Sequence, residues 1–104
     1  MSTLATATTF QNDVLTQKGT VLVDFFTDGC GPCRMMSPVL DEISRERSDI
    51  KIVKVDAGTS YELAANYGIS AVPTFILFAN GAPKAQFVGA RSKRDLLAWI
   101  ESNR

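Results

Sequence analysis

Two cysteines, Cys30 and Cys33, are the residues of this chain with the clearest chemical potential, and Gly31 and Pro32 separate them. The pair follows a continuous apolar run, which predicts a buried strand, and it precedes an apolar pattern of helical period. Side chains three residues apart share one face of a first helical turn, so the two sulfurs can form a disulfide. Proline in that turn gives up only an N–H that has no partner, and glycine permits the close approach of another backbone.

The predicted helix start gives the two cysteines different properties. Cys30 lies near the N-cap, where unpaired backbone N–H groups and the helix dipole favour a thiolate, so we expect its pKa below the ordinary value of about 8.5. Cys33 lies one turn inside the helix and should be more shielded and keep its proton longer. We therefore expect Cys30 to attack a substrate disulfide and Cys33 to resolve the mixed disulfide.

Two other uses of this cysteine spacing stay open. The pair could be half of an intermolecular zinc site, although two cysteines in a chain without histidine cannot complete a tetrahedral site alone. It could also be an inert local disulfide, but so short a loop gains little closure entropy. The spacing and its place before a helix favour redox chemistry.

Composition restricts the other function classes. The 104 residues, 45% of them hydrophobic, predict a single domain that spans the whole chain, 1–104. The absence of histidine removes the usual Cys-His and Ser-His-Asp arrangements. Eleven basic residues balance eleven acidic ones, so no net field attracts nucleic acid or an anionic membrane. No apolar stretch is long enough to span a bilayer, and the first ten residues do not resemble a secretory signal, so we expect a soluble cytoplasmic protein.

Apolar periodicity predicts nine elements in the order β-α-β-α-β-α-β-β-α. The strands are predicted at residues 3–6, 20–27, 50–55, 74–79 and 84–88, the first of them weak. Strands that alternate with helices indicate the α/β class, with a central mixed sheet flanked by helices on both faces. Right-handed crossovers should make the first part of the sheet parallel, and the Asn80-Gly81 hairpin should add an antiparallel edge.

Capping residues, glycines and one proline set the predicted helix ends. Thr8 or Thr9 is predicted to cap a short first helix that ends at Gly19, and the second helix is predicted to reach about Arg47 with a bend at Pro38. A capping box formed by Thr59 and Glu62 is predicted to begin the third helix, which ends at Gly68. Ser92 is predicted to cap the last helix.

Asp24 stands out because it lies between Val23 and Phe25 in a predicted central strand. Burial there would raise the pKa of its carboxyl. It precedes the cysteine loop by six residues, so it could lie beneath Cys33 and take the proton of that thiol, through a water. Lys54, in the next buried strand, is a candidate partner. Asp24 could instead face solvent at a strand edge, and Lys54 could extend its ammonium into solvent.

The dipeptide Val72-Pro73 leads into the strand predicted at 74–79. Proline cannot donate a hydrogen bond to a strand ladder. A cis Val72–Pro73 bond would turn the chain sharply and leave the backbone N–H and C=O of Val72 open to an extended peptide.

Together these segments resemble a thioredoxin over essentially the whole chain. The matching pieces are Val21-Leu-Val-Asp-Phe-Phe26, Cys30-Gly-Pro-Cys33, Ser37-Pro38, Tyr67-Gly-Ile69, Val72-Pro-Thr-Phe75, Phe78-Ala-Asn-Gly81 and Val88-Gly89. The resemblance implies the thioredoxin fold and general dithiol–disulfide exchange, with Cys30 as nucleophile, Cys33 as resolving cysteine and Asp24 as an acid/base aided by Lys54. It also implies a cis Pro73 opposite the disulfide and a shallow substrate groove that includes Gly29, Gly31, Pro32, Val72, Pro73 and Gly89.

The same resemblance implies the partners. These are oxidised protein substrates and a separate reductase, either a flavin enzyme that uses NADPH or a ferredoxin-linked one. No bound cofactor and no metal are expected, and a neutral domain of this size is expected to be a monomer.

The chain departs from the family beside its motif. Gly29 stands where thioredoxins usually carry tryptophan, Phe26 replaces a second common tryptophan, and Arg34 replaces a lysine. We expect a more open Cys30 and less apolar docking area, and Asp28 adds a negative charge near Cys30. Two alternative functions stay open: a binding module with incidental cysteines, and a disulfide oxidant or isomerase, although Gly-Pro between the cysteines favours a reducing role.

Overall fold

A computed structural model describes residues 2–104 of the chain. In that part, five strands and three α-helices follow the predicted order, and the remaining predicted helix is a π-helical segment at Gln11–Leu15. The strands are β1 (Thr3–Ala5), β2 (Thr20–Phe26), β3 (Ile50–Asp56), β4 (Thr74–Ala79) and β5 (Ala82–Val88), and the helices are α1 (Gly31–Glu46), α2 (Tyr61–Asn66) and α3 (Lys93–Asn103).

The five strands form one mixed sheet in the order β1-β3-β2-β4-β5. β1 and β2 pair parallel with β3, whereas β4 is antiparallel to β2, and β5 is antiparallel to β4. The mixed sheet is confirmed. Antiparallel pairing was expected only between the two strands of the hairpin, β4 and β5, but β4 is already antiparallel to β2. The reason is the length of α2, because six helical residues span about 9 Å and a seven-residue strand spans about 23 Å. The chain after α2 therefore enters the sheet at the end where β3 finishes.

Side chains on the two faces of the sheet form two hydrophobic clusters, which confirms helices on both faces. One cluster joins the sheet to the π-helical segment through Val14 and the preceding residue Phe10, and to α2 through Leu63. The other joins it to α1 and α3, for example through Leu40 and Leu96, both without exposed surface. α1 carries the cysteine motif, so the packing of α1 on the sheet fixes where that motif lies.

The segment between β1 and β2 differs from its predicted helix. Residues Gln11–Leu15 form a π-helical turn that no side chain caps, and the hydroxyl of Thr9 instead accepts a hydrogen bond from the Thr6 N–H at 2.9 Å. Neither Thr8 nor Thr9 is therefore a helix cap. The segment also ends at Leu15, before Gly19, because the Thr16 N–H donates to the Gln11 carbonyl and closes the wider turn.

The capping box predicted at Thr59 is also wrong. α2 begins after Ser60 without a side-chain cap, and a carboxylate oxygen of Asp56 accepts hydrogen bonds from the N–H groups of Gly58 and Thr59. An aspartate turn at the end of β3 therefore takes the N–H that the box would have needed. The cap predicted at Ser92 is confirmed, since its hydroxyl accepts a hydrogen bond from the Asp95 N–H at 3.1 Å.

The Asn80-Gly81 hairpin is confirmed. Both residues have positive φ, 50° and 81°, as a two-residue turn of this kind requires. β5 begins at Ala82, two residues before its predicted start, and Pro83 lies where the pairing with β4 shifts register.

α1 is continuous through Pro38, and the bend predicted there stays a prediction. Across residues 2–104, no helix has the length and apolar character needed to cross a bilayer.

Candidate active site

Cys30 and Cys33 lie at the start of α1, where Cys30 is the N-cap residue with extended backbone (φ −88°, ψ 108°). Their sulfurs form a disulfide, and their Cα atoms are 5.2 Å apart. The Cys30 sulfur also accepts a hydrogen bond from the Cys33 N–H at 3.2 Å. Cys33 is 5% exposed, whereas Cys30 is only partly buried. The predicted placement of both cysteines and their difference in shielding are confirmed.

The backbone of Val72 faces the disulfide from the loop before β4. Its carbonyl oxygen lies 3.9 Å from the Cys30 sulfur, and the Val72–Pro73 peptide bond is cis, as the resemblance implied. The Gly89 N–H donates a hydrogen bond to the Pro73 carbonyl at 2.9 Å, which ties the end of β5 to this loop. The Thr74 hydroxyl donates a hydrogen bond to the Ala71 carbonyl at 2.6 Å, which stabilises the same loop. Three predicted groove residues, Val72, Pro73 and Gly89, are thus brought together beside Cys30.

The residues between and before the cysteines form the exposed rim of the site. Gly29 and Pro32 are exposed, and Gly31 is partly buried in the first turn of α1. Gly29 adopts a φ of +77°, which glycine reaches without strain. Arg34 and Asp28, two positions of the predicted departure from the family pattern, are exposed as well.

Asp24 is buried in the centre of β2, with 2% of its surface exposed. Burial raises the pKa of its carboxyl to about 7, although the nearby Lys54 ammonium acts in the opposite direction. Its Oδ1 atom has no hydrogen-bond partner. The solvent-facing alternative for Asp24 is therefore wrong, because β3 and β4 pair with β2 on its two sides.

Lys54 lies opposite Asp24 in the parallel register of β2 and β3. Its Nζ atom donates a hydrogen bond to the Ser37 hydroxyl at 3.2 Å, and the residue is partly buried. Lys54 therefore acts on Asp24 through space while its hydrogen bond goes to α1. Ser37 was not a predicted site residue; it lies four residues after Cys33, a spacing that places both on one face of α1 and could have identified it.

A cavity of about 190 Å³ connects these groups. Asp24, Cys33, Ser37 and Lys54 line its inner part. The rest of its lining lies around Gly29 and consists of Phe26, Thr27, Asp28, Gly29 and Arg34. The missing side chain at Gly29 was expected to leave Cys30 more open, but the cavity beside Gly29 is lined by Cys33 and Asp24 and not by Cys30. The arrangement suits thiol–disulfide exchange, since it has one accessible sulfur, one shielded sulfur and a buried carboxyl near the shielded one.

Comparison with known proteins identifies the family. The family model described as Thioredoxin matches residues 2–102. The chain belongs to the thioredoxin family. A thioredoxin of Rickettsia bellii is 38% identical over 104 residues, which cover 99% of each chain. A thioredoxin of Mycobacterium tuberculosis is 45% identical over 93 residues, which cover 88% of this chain and 80% of that one.

Solved structures agree with this assignment. A point-mutant thioredoxin from Halobacterium salinarum superposes with a TM-score of 0.88 at 36% identity, covering 97% of this chain and 88% of that chain. Family membership and the Cys30–Cys33 disulfide together make this thioredoxin-family chain a thiol–disulfide oxidoreductase that carries electrons. The redox interpretation of the cysteine pair is confirmed over the binding-module alternative.

Proposed function

We propose that the chain reduces disulfides in oxidised protein substrates, with Cys30 as nucleophile and Cys33 as resolving cysteine. The observation that supports this assignment is the difference in accessibility of the two sulfurs. Cys30 is partly exposed beside the Val72 backbone, whereas Cys33 is buried one turn deeper in α1. A bulky protein disulfide can therefore approach Cys30 more easily than Cys33.

In the first step, the Cys30 thiolate attacks one sulfur of the substrate disulfide, and the other substrate sulfur leaves with the bonding electron pair. The N-cap position favours the attacking thiolate, because the Cys33 N–H points at the Cys30 sulfur and the helix start carries partial positive charge. The product is a mixed disulfide between Cys30 and the substrate.

In the second step, the Cys33 sulfur attacks Cys30, releases the reduced substrate and closes the Cys30–Cys33 disulfide. Cys33 must first lose a proton, and Asp24 is the acceptor that we propose. Its pKa of about 7 suits proton transfer at neutral pH, and the shared cavity gives the proton a path between the two side chains. Lys54 assists by keeping the pKa of Asp24 from rising further.

The substrate strand would lie along the Val72 backbone and reach Gly89. An extended peptide can pair with free backbone groups at such a position, and the hydrogen bond from the Gly89 N–H to the Pro73 carbonyl holds the two segments together. Gly29, Gly31 and Pro32 would form the opposite rim, where the low side-chain bulk of the glycines leaves room for the substrate.

A separate reductase would return electrons to the disulfide. Family membership supports such a partner, either a flavin enzyme that uses NADPH or a ferredoxin-linked enzyme. We further propose that the chain works as a monomer in the reducing environment of the cytoplasm, where a closely spaced cysteine pair can cycle.

Insulin disulfide reduction with dithiothreitol as electron source tests the proposal. Cys30→Ser is expected to abolish the catalysed rate, and Cys33→Ser is expected to accumulate a mixed disulfide with insulin on Cys30. Ser44→Ala, a change on α1 away from the motif, is the control. Full activity in Cys30→Ser, or an insulin adduct only on Cys33, would contradict the assigned roles. A redox titration against glutathione measures the reduction potential of the Cys30–Cys33 disulfide and so tests whether the chain acts as a reductant. A potential typical of a disulfide oxidant would exclude that role.

A further inference from the structure

The cavity beside the disulfide reaches only one of the two cysteines. Cys33 lines it, whereas Cys30 does not and instead contacts the Val72 carbonyl on the substrate side. Gly29 itself contributes no side-chain atoms to the mouth, and a Cβ built there would meet nothing within 4 Å. A small molecule that enters from this mouth therefore meets Cys33, not Cys30.

The interior of the cavity contains polar side chains and one hydrogen-bond acceptor without a partner. Asp24 is 2% exposed, and its Oδ1 atom has no hydrogen-bond partner although the residue lines a cavity of about 190 Å³. Such a volume holds on the order of six water molecules. A thiol of the size of free cysteine fits this space, whereas a folded protein does not.

We propose that a low-molecular-weight thiol enters this cavity and reduces the oxidised protein by attack on Cys33, a second route for electrons that rests on the proposed disulfide-reductase function. The protein substrate would then reach Cys30 along the Val72 backbone, whereas this thiol would reach Cys33 past Gly29, which borders both the substrate rim and the cavity. The open mouth at Gly29 gives the thiol access to the cavity that Cys33 lines.

The reaction consumes two thiols and balances without another reactant. The first thiolate attacks the Cys33 sulfur, the Cys30–Cys33 bond breaks, and Cys30 leaves as a thiolate. A second thiolate attacks the sulfur of the bound small molecule, so Cys33 leaves and takes a proton from Asp24. The products are the small-molecule disulfide and the dithiol protein, since the two protons that the attacking thiols released to water return to the Cys30 thiolate and the Asp24 carboxylate.

The choice of sulfur follows from the leaving group. Thiol–disulfide exchange is faster when the departing thiol is the more acidic one. The Cys30 sulfur already accepts a hydrogen bond from the Cys33 N–H at 3.2 Å at the start of α1, which stabilises it as a thiolate. Attack on Cys33 therefore expels the better leaving group, and Cys33, although only 5% exposed, lines the cavity through which the thiol approaches.

The charges around the cavity indicate which thiol fits. Asp28 and Arg34 lie at the exposed mouth, and Asp24 and Lys54 lie inside. Two acidic and two basic side chains match a molecule that carries both an ammonium and a carboxylate. Free cysteine is therefore the probe, and glutathione, which is larger, is the comparator.

The decisive experiment maps the mixed disulfide in the unchanged chain. The oxidised protein is mixed with excess cysteine, the freed protein thiol is alkylated within milliseconds by rapid quench, and tandem mass spectrometry locates both groups. We expect cysteine on Cys33 and the alkyl group on Cys30. The reverse arrangement overturns this proposal, yet it leaves insulin reduction through Cys30 intact, so the two proposals can fail separately.

A pair of variants at the mouth provides a second measurement. Asp28→Trp places an indole over the opening, and Asp28→Asn removes the same charge while it leaves the opening free. The readout is the ratio of the reduction rate by cysteine to that by glutathione. We expect the ratio to fall about tenfold in Asp28→Trp relative to Asp28→Asn because access to Cys33 is lost. An equal ratio in the two variants overturns the proposal.

Discussion

Asp24 and Lys54 occupy opposed positions on the parallel strands β2 and β3, yet the Lys54 ammonium donates its hydrogen bond to Ser37 and Oδ1 of Asp24 has no partner. The charge of Lys54 therefore reaches Asp24 through space and only partly offsets its desolvation, so the pKa of Asp24 stays at about 7. A carboxyl in this state can accept and return a proton near neutral pH, as the proposed resolution by Cys33 requires.

The buried carboxyl should make stability depend on pH. The pKa of Asp24 is about 7 in the folded protein and near the ordinary 3.8 in the unfolded chain. Between these values the folded state holds a proton that the unfolded state releases, so this contribution to the free energy of unfolding falls as pH rises. Asp24→Asn removes the effect. The variant should gain stability over the wild type from pH 4 to pH 7, on the order of 4 kcal/mol at most, and the gain should stay constant above about pH 8.

Urea unfolding of oxidised Asp24→Asn and wild type across this pH range measures the difference. Asp41→Asn, which removes an exposed carboxylate on α1, is the control. A difference that shrinks with rising pH would mean that Asp24 is stabilised as an anion.

Removal of the Lys54 charge should raise the pKa of Asp24 further, because that ammonium is what lowers it. In Lys54→Met the titration of the Asp24 carboxyl, followed by carbon NMR, should shift to higher pH than in the wild type. Lys51→Met is a matched control on the same strand, since the Lys51 ammonium donates to the Asp13 carbonyl at 2.8 Å. Equal shifts in the two variants would show that net charge alone, not the position of Lys54, sets the effect.

The parts of the fold with continuous apolar sequence were predictable. β2, β3 and β4 are buried between helices on both faces, and such burial leaves an apolar run that marks the strand. The direction of β4 was not predictable from periodicity, because it depends on how far the chain travels through α2. The π-helical form of Gln11–Leu15 was not predictable either, since one apolar pattern fits both kinds of helix.

The site divides in a similar way. Cys30 and Cys33 follow from spacing, and Asp24 follows from a charge inside an apolar strand. The hydrogen bond from Lys54 to Ser37 depends on how α1 packs over β3, which no local pattern encodes. The cavity depends in addition on a missing side chain at Gly29. The sequence predicted that this missing side chain would leave Cys30 more open, whereas in the packed structure Cys33 and Asp24 lie behind Gly29.

Trp99 should report little on the redox state. It is the only tryptophan, it lies on α3, and its ring contacts Phe87 edge-on with centroids 4.7 Å apart. The disulfide lies at the start of α1 beside Val72, so its opening leaves this contact unchanged. Emission of Trp99 should barely differ between oxidised and reduced protein, whereas Phe87→Leu, which removes the contacting ring, should change it in both states. A large redox-dependent change would mean that α3 moves when the disulfide opens.

Gly81 should be harder to replace than its positive φ alone requires. Gly19 and Gly81 have nearly equal φ values, 84° and 81°, but a Cβ at Gly81 would collide with the Leu15 carbonyl, whereas one at Gly19 would meet nothing within 4 Å. Gly19→Ala should lose about 1–2 kcal/mol for the left-handed backbone. Gly81→Ala should lose about 1–3 kcal/mol more, because the hairpin must move away from the end of the π-helical segment. Urea unfolding of both variants measures the difference, and equal losses would show that the hairpin yields without cost.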